Sequence, residues 1–523
     1  VSLQPLDSLP EESLAINRAL ISVSDKTGLG PLTTLLDSLG VEIISTGGTA
    51  QHIRNNGIEV TDIEEITGFP ECLDGRVKTL HPNVHAGILA RTSHQSDRKE
   101  LEELDIEPIE LVVANLYPFR ETVEETKNLA TATEYIDIGG PTLIRAAAKN
   151  FAHVGVLTSP RQYETFTKEL ENKEQLSFGL RQRLARDAFN HTAEYDHYIA
   201  NYFNSLDEEE NPVQFNLSLP RSQNLRYGEN PHQQAAVYGN QGEFIDCFHG
   251  KELSYNNYMD LDAAVNLYYD FRYSDPTCAI FKHTQPCGVA SAPNLKQAYQ
   301  NAFATDKISP FGGIVLVNRE LDLTTAEAID EIFTEIIVAP SYSEDALELL
   351  KQKKKRRLVQ LHNIYDEPPA RTFRSIFGGA LNQEPDRENI DPANYKVVTR
   401  RKPTDKEWAD LAFAWKIVKH VKSNAIVYAG KNRTLGIGSG QPSRVDSSEI
   451  AVRKAEKEGL SLEHSVIASD AFFPFADGVE AAADAGAKAV IQPGGSIRDE
   501  EVIEMANEKD MAMVFTGKRH FRH

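Results

Sequence analysis

Residues 19–49, ALISVSDKTGLGPLTTLLDSLGVEIISTGGT, carry the reading on which the fold class rests. Residues 19–24 form a short apolar run with two β-branched members, Ile21 and Val23, and read as a strand. Apolar residues at helical spacing follow over 29–39 and stop at Gly40. A second strand is expected at 41–45 (VEIIS). TGGT at 46–49 then reads as a tight turn into a helix over 50–55 that ends near Gly57. Further strands are expected at 58–63, at 111–116 (LVVANL) and at 154–157 (VGVL). This βαβαβ rhythm predicts an α/β fold, a doubly wound parallel sheet with helices on both faces and a ligand crevice beyond the carboxyl ends of its strands.

Outward from this core, residues 161–200 read as helical, with a polar interruption at 172–175. The acidic run at 207–210 followed by Asn211-Pro212 reads as a linker, so a boundary is expected near residue 206. The chain's 523 residues are enough for two to four domains. Beyond the linker the same order of elements recurs twice. Residues 313–317 (GIVLV), 325–333, 336–339 with Pro340, 344–353 and 358–361 match 465–468 (SVIA), 478–485, 489–492 with Pro493, 499–507 and 512–515. The offset is about 153 residues, too long for a solenoid, and two related α/β subdomains are expected, about 207–375 and 376–523. The basic run 353–357 (KKKRR) is expected on a solvated face.

Composition narrows the function classes. Lys and Arg number 55 against 77 Asp and Glu, a formal charge of −22, which disfavours nucleic acid and anionic membranes as partners. A phosphate ligand therefore needs a local cluster of cations and backbone N–H groups. The four cysteines, Cys72, Cys247, Cys278 and Cys287, form no C-x-x-C pair, which argues against both a disulfide scaffold and a thiolate zinc site. No apolar run reaches membrane-spanning length, and residues 1–12 lack the basic and apolar regions of a secretory leader. A soluble cytoplasmic protein is the expectation.

Two constellations bear chemistry. The first joins residues 22–27 (SVSDKT), 46–49 (TGGT), 76–82 (RVKTLHP) and 137–150 (DIGGPTLIRAAAKN). Small residues let backbone N–H groups approach a phosphate, and helix N-termini add partial positive charge. Lys26, Arg76 and Lys78 supply formal charge, and Asp137, Lys149 and Tyr117 are the candidate reacting groups. The second lies in 279–288, AIFKHTQPCG, where an apolar strand ends in Lys282-His283. Adjacent strand residues face opposite ways, so both side chains reach one site only where the strand ends or bends. A lysine buried there would have a lowered pKa, and a histidine titrates near neutrality; the pair suits proton transfer with stabilisation of developing negative charge. A zinc nucleobase deaminase needs H-x-E and P-C-x-x-C. Here Gln285 replaces the Glu and Ala290 the second Cys, so that chemistry is disfavoured. In the segment 436–444 (GIGSGQPSR) the glycines are followed by Gln-Pro, not by a dinucleotide-binding helix pattern, and an NAD site is rejected.

The motifs SVSDKTG, RVKTLHPNVHAGIL, NLYPF, DIGGPTLIRAAAKN, LRYGENPHQ, FKHTQPCG, SNAIVYA, GIGSGQPSR and SDAFFPF occur in this order along essentially the whole chain. The sequence closely resembles the bifunctional phosphoribosylaminoimidazolecarboxamide (AICAR) formyltransferase/IMP cyclohydrolase family of purine biosynthesis. The resemblance implies a methylglyoxal-synthase-like N-terminal domain (1–206) that closes the ring. It also implies a C-terminal transformylase (207–523) of two cytidine-deaminase-like subdomains, an intertwined homodimer with shared transformylase sites, and 10-formyltetrahydrofolate as co-substrate. No catalytic metal is implied, and room is left for a structural monovalent cation. By motif, the cyclohydrolase site includes Ser22, Ser24, Lys26, Thr27, Thr46, Gly47, Gly48, Thr49, Arg76, Lys78, Thr79, Asn115, Tyr117, Asp137, Gly139 and Lys149. The transformylase site includes Arg226, Tyr227, Lys282, His283, Phe311, Gly312, Asn424, Arg444, Phe472, Phe473 and Arg519. Glu335 stands where some relatives are expected to carry Asp.

In the chemistry so implied, His283 takes a proton from the AICAR amine while Lys282 polarises the formyl group or protonates the departing folate nitrogen. Asn424 holds the formyl group or amine, Arg226 and Arg444 bind phosphate or carboxamide, and the AFFPF phenylalanines border a ring. For closure of the formylated product FAICAR, Lys149 and Lys78 stabilise the oxyanion, Asp137 activates the carboxamide N–H and Tyr117 orients it. The rival readings are a phosphometabolite-sensing module and the disfavoured zinc deaminase.

Overall fold

The computed structural model describes residues 9–126, 128–206, 211–362, 371–387 and 394–523; the expected linker at 207–210 lies outside the described residues. The chain divides into two units, Val1–Ser218 and Leu219–His523.

In the first unit, β1 (Arg18–Ser22), β2 (Glu42–Ser45), β3 (Thr61–Asp62), β4 (Leu111–Ala114) and β5 (Gly155–Leu157) form an all-parallel sheet in the order β3-β2-β1-β4-β5. Strand β4 is buried along its whole length, as expected of a strand covered on both faces. The chain order reverses at β1, so the gap between the ends of β1 and β4 is the topological switch point. The expected strand at 58–63 is only the two residues of β3. Asp62 opens a capping box, its N–H donating to Glu65 Oε1 at 3.2 Å, and turns the chain into the helix Ile63–Thr67. TGGT is likewise not a turn before a helix but its first turn: the helix runs Gly47–Arg54. The helical stretch beyond 161 breaks at Glu174, at φ 55°, into Tyr163–Lys173 and Phe178–Asn204.

The second unit opens with an antiparallel hairpin, β6 (Arg221–Leu225) and β7 (Ala235–Tyr238). Strands β8 (Ile245–His249), β9 (Thr277–Lys282), β10 (Gln285–Ser291), β11 (Ile314–Val317), β12 (Ile336–Ala339) and β13 (Arg357–Leu361) form a sheet ordered β10-β9-β11-β12-β13-β8. An exposed hairpin, β14 (Thr372–Ile376) and β15 (Gly379–Gln383), follows. A second sheet contains β16 (Lys396–Val397), β17 (Ile426–Ala429), β18 (Thr434–Gly438), β19 (Val466–Ser469), β20 (Ala489–Gln492) and β21 (Ala512–Phe515), ordered β16-β21-β20-β19-β17-β18. Read from its other edge, this is the first sheet again. Each has an antiparallel hairpin, an antiparallel junction, three parallel strands and an antiparallel edge. Helices Tyr255–Phe271 and Asp405–Val418 precede the two hairpins and share one core, with Phe271 edge-to-face on Phe413 at 5.7 Å.

The glycines of GIGSG have a packing role. A Cβ on Gly436 would lie 2.3 Å from Ala451 O, and one on Gly438 1.7 Å from Ser447 O, so β18 without side chains there admits the helix Arg444–Lys457. Gly288 does the same on β10 against Ala302 O at 2.0 Å. Gly438→Ala is expected to destabilise the protein by at least about 1–3 kcal/mol, the usual range for overpacking, read as a lower urea midpoint.

The basic run departs from its expected solvated face. Arg356 is 1% exposed and pairs with Asp330 at 2.6 Å, and Arg357 is buried against Glu335 and the Glu252 carbonyl. Only Lys353–Lys355 among its five residues stay outside the core. Charge periodicity cannot report this, because the carboxylates that draw the arginines in come from other elements.

Candidate functional site

The first constellation assembles at the switch point. Asn115, one residue past β4, accepts the N–H groups of Ser24 and Asp25 on Oδ1 (2.6 and 3.0 Å) and donates to Asp25 O at 2.9 Å. It thereby ties residues 22–27, including Ser22, Lys26 and Thr27, across the gap. Thr49 is 5% exposed; its hydroxyl donates to Val23 O at 3.0 Å and accepts Val23 N–H at 3.2 Å. Thr49 and Asn115 therefore build the crevice with their side chains rather than offering them to a ligand. The helix Gly47–Arg54 points its N-terminus into this crevice with Thr46 as N-cap and no side chain capping it. Its first N–H groups and exposed Gly47 and Gly48 suit an anion.

The loop after Gly75 brings in the cations. A Cβ on Gly47 would lie 3.5 Å from Lys78 Nζ, so Lys78 lies beside the helix start. Lys78 pairs with Glu71 at 3.0 Å, and Arg76 pairs with Glu134. The Arg76 pair is exposed and the Lys78 pair partly so; such pairs are worth about 0–1 kcal/mol, so a phosphate dianion competes with them readily. Thr79 is buried beside Gly139, whose Cβ would be 3.3 Å from Thr79 Oγ1.

Asp137 stands at the start of the helix Gly139–Lys149. Its Oδ1 accepts Gly140 N–H at 2.8 Å, and its own N–H donates to Tyr195 OH, which in turn donates to Tyr135 O. Burial pushes the Asp137 carboxyl above its ordinary range, against the opposing pull of N–H groups of Gly140, Tyr117 and Gly139. Tyr117 itself is 48% exposed. Lys149 is not brought to this group. It is exposed in the last turn of the same helix, about 15 Å along the axis from Gly139 at 1.5 Å per residue. Spacing along a motif does not reveal that a helix points one end of it away.

The second constellation is a hairpin turn. Strand β9 ends at Lys282, β10 begins at Gln285 opposite it, and His283 and Thr284 fill the turn at φ 52° and 62°. Both turn residues are left-handed, as in two-residue hairpins that usually carry Asn-Gly. Lys282 is half-buried, not enclosed, and its Nζ donates to the Phe311 carbonyl, beside Gly312 at φ 71°. His283 is exposed. The 62%-exposed Phe311 packs on Phe333, with ring centroids 5.4 Å apart. Lys422 N–H donates to Gln285 Oε1 at 3.0 Å, which draws the segment carrying Asn424 to the hairpin. Asn424 Nδ2 is engaged with the Gln441 and Pro442 carbonyls. The loop with Arg226 and half-buried Tyr227 reaches the helix Tyr255–Phe271 through Asn256 Nδ2 donating to Glu229 O at 3.3 Å.

Two expected ligand residues have other work. Arg444 donates to Ser469 Oγ at 2.7 Å and Asp470 Oδ1 at 2.6 Å, and Asp470 is fully buried. Its guanidinium neutralises that carboxylate rather than being held out to a phosphate. Phe473 is 1% exposed in the core, and only Phe472 and Phe475 of that segment reach the surface. Arg519 is exposed over Phe521, with its neighbour His520 donating N–H to Asp470 O. Sequence reasoning missed Asp260, whose Oδ1 accepts Thr284 N–H at 2.6 Å. It lies 24 residues from the turn it touches, in an ordinary amphipathic helix, and no local signal marks it. Glu335, held by Asn257 and Arg357, completes the acidic side of this region. Burial pushes the Cys287 thiol up to about 12, so it stays protonated at neutral pH. Among the described residues no group of three or more His, Cys, Asp or Glu is placed to hold a metal ion, and no helix is long and apolar enough to cross a membrane.

Residues 147–454 match the family described as AICARFT/IMPCHase bienzyme, and residues 28–142 match the MGS-like domain. A bifunctional purine biosynthesis protein PurH from Chloroflexus aurantiacus is 54% identical over 508 residues, which cover 97% of this chain and 98% of that protein. The protein of the same name from Persephonella marina is 50% identical (97% and 99% covered), and that from Bacillus subtilis 47% (98% and 100%).

Proposed function

Because the chain belongs to the AICARFT/IMPCHase bienzyme family, it is a bifunctional enzyme that formylates AICAR and closes the product to IMP, and we propose that its two units divide these reactions. Ring closure is assigned to the crevice of the first unit and formyl transfer to the β9–β10 turn of the second. The carrying observation is that each unit gathers its own chemistry. One has an uncapped helix start with Lys78 and a half-buried carboxylate, the other an ammonium and an imidazole at one strand end.

In formyl transfer the 5-amino nitrogen of AICAR attacks the formyl carbon of 10-formyltetrahydrofolate. The new C–N bond replaces the bond to the folate nitrogen, and tetrahydrofolate leaves. His283 takes the amine proton, and Lys282, aimed by the Phe311 carbonyl, stabilises the oxyanion and supplies a proton to the departing nitrogen. In ring closure both reacting groups belong to one molecule, so holding the right conformer does much of the work. The uncapped helix start, Lys26, Arg76 and Lys78 hold the phosphate end. Asp137 takes a proton from the carboxamide as its nitrogen attacks the formamide carbon and returns it to the formyl oxygen; the hydroxyl so formed leaves as water with the formamide N–H proton. Lys149 has no part in this scheme. Thr46, Thr79 and Gly139 shape the crevice.

A homodimer is proposed as the working form. Phe373, Ile376, Phe377 and Leu381 are 52%, 39%, 97% and 59% exposed on the β14–β15 arm, an apolar surface of the kind a second copy covers. The proposed compartment is the cytoplasm. The phosphometabolite sensor and zinc deaminase are not favoured.

The purified protein, given AICAR and 10-formyltetrahydrofolate, is expected to yield tetrahydrofolate and IMP. Given FAICAR alone, it is expected to yield IMP without folate. Ring closure that requires folate would overturn the division into two sites.

A further inference from the structure

The two halves of the second unit share a device that the reactions above do not explain. In each, the helix before the hairpin sends an aspartate to the backbone of the hairpin turn. Asp260 Oδ1 accepts Thr284 N–H at 2.6 Å; Asp410 Oδ1 accepts Asn432 N–H at 2.9 Å. Each turn has two central residues, between Lys282 and Gln285 in the first and between the mutually hydrogen-bonded Gly430 and Arg433 in the second, and all four are left-handed: His283 at φ 52°, Thr284 at 62°, Lys431 at 56° and Asn432 at 53°. The carboxylates sit at matching places on the helices Tyr255–Phe271 and Asp405–Val418, and bond to the second residue of each turn.

The copies differ in what the turn carries. The second turn is a packing piece: Asn432 O accepts Ser291 N–H at 2.9 Å, and Arg433 bridges to Ala290 on β10. Asn also tolerates the left-handed region well. The first turn carries His283, exposed, and follows directly on Lys282. Its second residue is Thr284, and a β-branched side chain fits this region poorly. A turn of this sequence needs an outside contact to hold it. Asp260 provides one, and lies close enough to feel the charges of both His283 and Lys282.

We propose that Asp260 is a positioning residue for formyl transfer, acting through the Thr284 amide to hold the left-handed turn that aims Lys282 and His283. The Asp410 clamp is its structural twin. This rests on the assignment of Lys282 and His283 to formyl transfer. Asp260 touches no reacting atom; it decides where the two groups that do are placed. A misplacement of about 1 Å is enough to cost about a hundredfold in rate.

The test compares Asp260→Ala, Asp260→Asn and Asp410→Ala in the full chain. Formyl-transfer kcat and KM, closure of FAICAR, and amide hydrogen exchange at Thr284 are the readouts. Asp260→Ala is expected to lower formyl-transfer kcat by about a hundredfold with KM for AICAR changed less than about threefold. It should leave ring closure intact and speed exchange at Thr284. Asp260→Asn keeps an acceptor oxygen and is expected to restore both protection and most of kcat. Asp410→Ala is expected to lower the melting temperature while formyl transfer per folded molecule stays within about twofold. Three results would overturn the proposal: an Asp260→Ala enzyme with normal kcat, an Asp260→Asn enzyme that keeps Thr284 protection but loses kcat, or an Asp410→Ala enzyme with the same kcat loss. If the unsubstituted protein showed no formyl transfer, the functional assignment would fail instead. Thr284 exchange would then still report the clamp.

Discussion

Lys282→Ala is expected to lower the kcat of formyl transfer by about a thousandfold while FAICAR closes to IMP at the unsubstituted rate. The size follows from two roles in one group. In the proposed scheme the ammonium stabilises the negative charge that builds on the formyl oxygen and is the donor to a poor leaving nitrogen. Removing one such donor costs about 100–1000-fold, and proton transfer adds a comparable factor that overlaps with it. The Phe311 carbonyl that accepts from Lys282 Nζ keeps the group oriented before substrate arrives. Because Lys282 is half-buried at a strand end, truncation leaves no cavity in the core, and the fold should survive. Parallel assays on AICAR plus 10-formyltetrahydrofolate and on FAICAR alone check it. Loss of both activities in a folded protein would remove the two-site assignment.

The reciprocal result is expected of Asp137→Asn: ring closure falls by about 100–10,000-fold and formyl transfer is unchanged. Asn keeps the oxygen that accepts Gly140 N–H, so the helix start stays built while the proton acceptor is lost. The pH behaviour follows from burial. Since the folded-state pKa of Asp137 is raised, ring closure is full above that raised value and declines as pH falls through it, an acid limb lying above the usual carboxylate range. Stability carries the opposite sign. A group whose folded pKa is raised favours the fold below its unfolded pKa, and that contribution is lost as pH rises through the folded one. Asp137→Asn should therefore not lower the melting temperature at neutral pH, although it disables closure. A pH–rate profile on FAICAR alongside thermal melts reads both. An Asp137→Asn protein that closes FAICAR normally would leave the crevice without its base.

Much of the fold was legible because it is written in local periodicity. The strands at 19–24, 41–45 and 111–116 are apolar runs bounded by turn residues, and the duplication showed as one element order repeated twice. The failures have one physical character. At 58–63 only Thr61 and Asp62 pair as a strand, and the capping box at Asp62 turns the chain into a helix directly after them. In KKKRR, two arginines went inside because Asp330 and Glu335, more than twenty residues away, receive them. Sites divide the same way. Lys282 and His283 were placed by the simple geometry of a strand end. The engagement of Arg444 with Asp470, the burial of Phe473 and the contact of Asp260 with Thr284 are all non-local.

Alone, the amino-acid order determined that this protein is a doubly wound sheet followed by a duplicated α/β unit, with Lys282 at a strand end and His283 directly after it. Apolar spacing and turn chemistry act over a few residues, so they can be read directly. Only the tertiary structure decided which polar groups are already committed: Thr49 and Asn115 to building the crevice, Arg444 to a buried carboxylate, Lys149 to the far end of its helix, and Asp260 to the turn. A hydrogen bond between residues distant in the chain leaves no periodic trace, and it is such bonds that determine which side chains remain to meet a substrate.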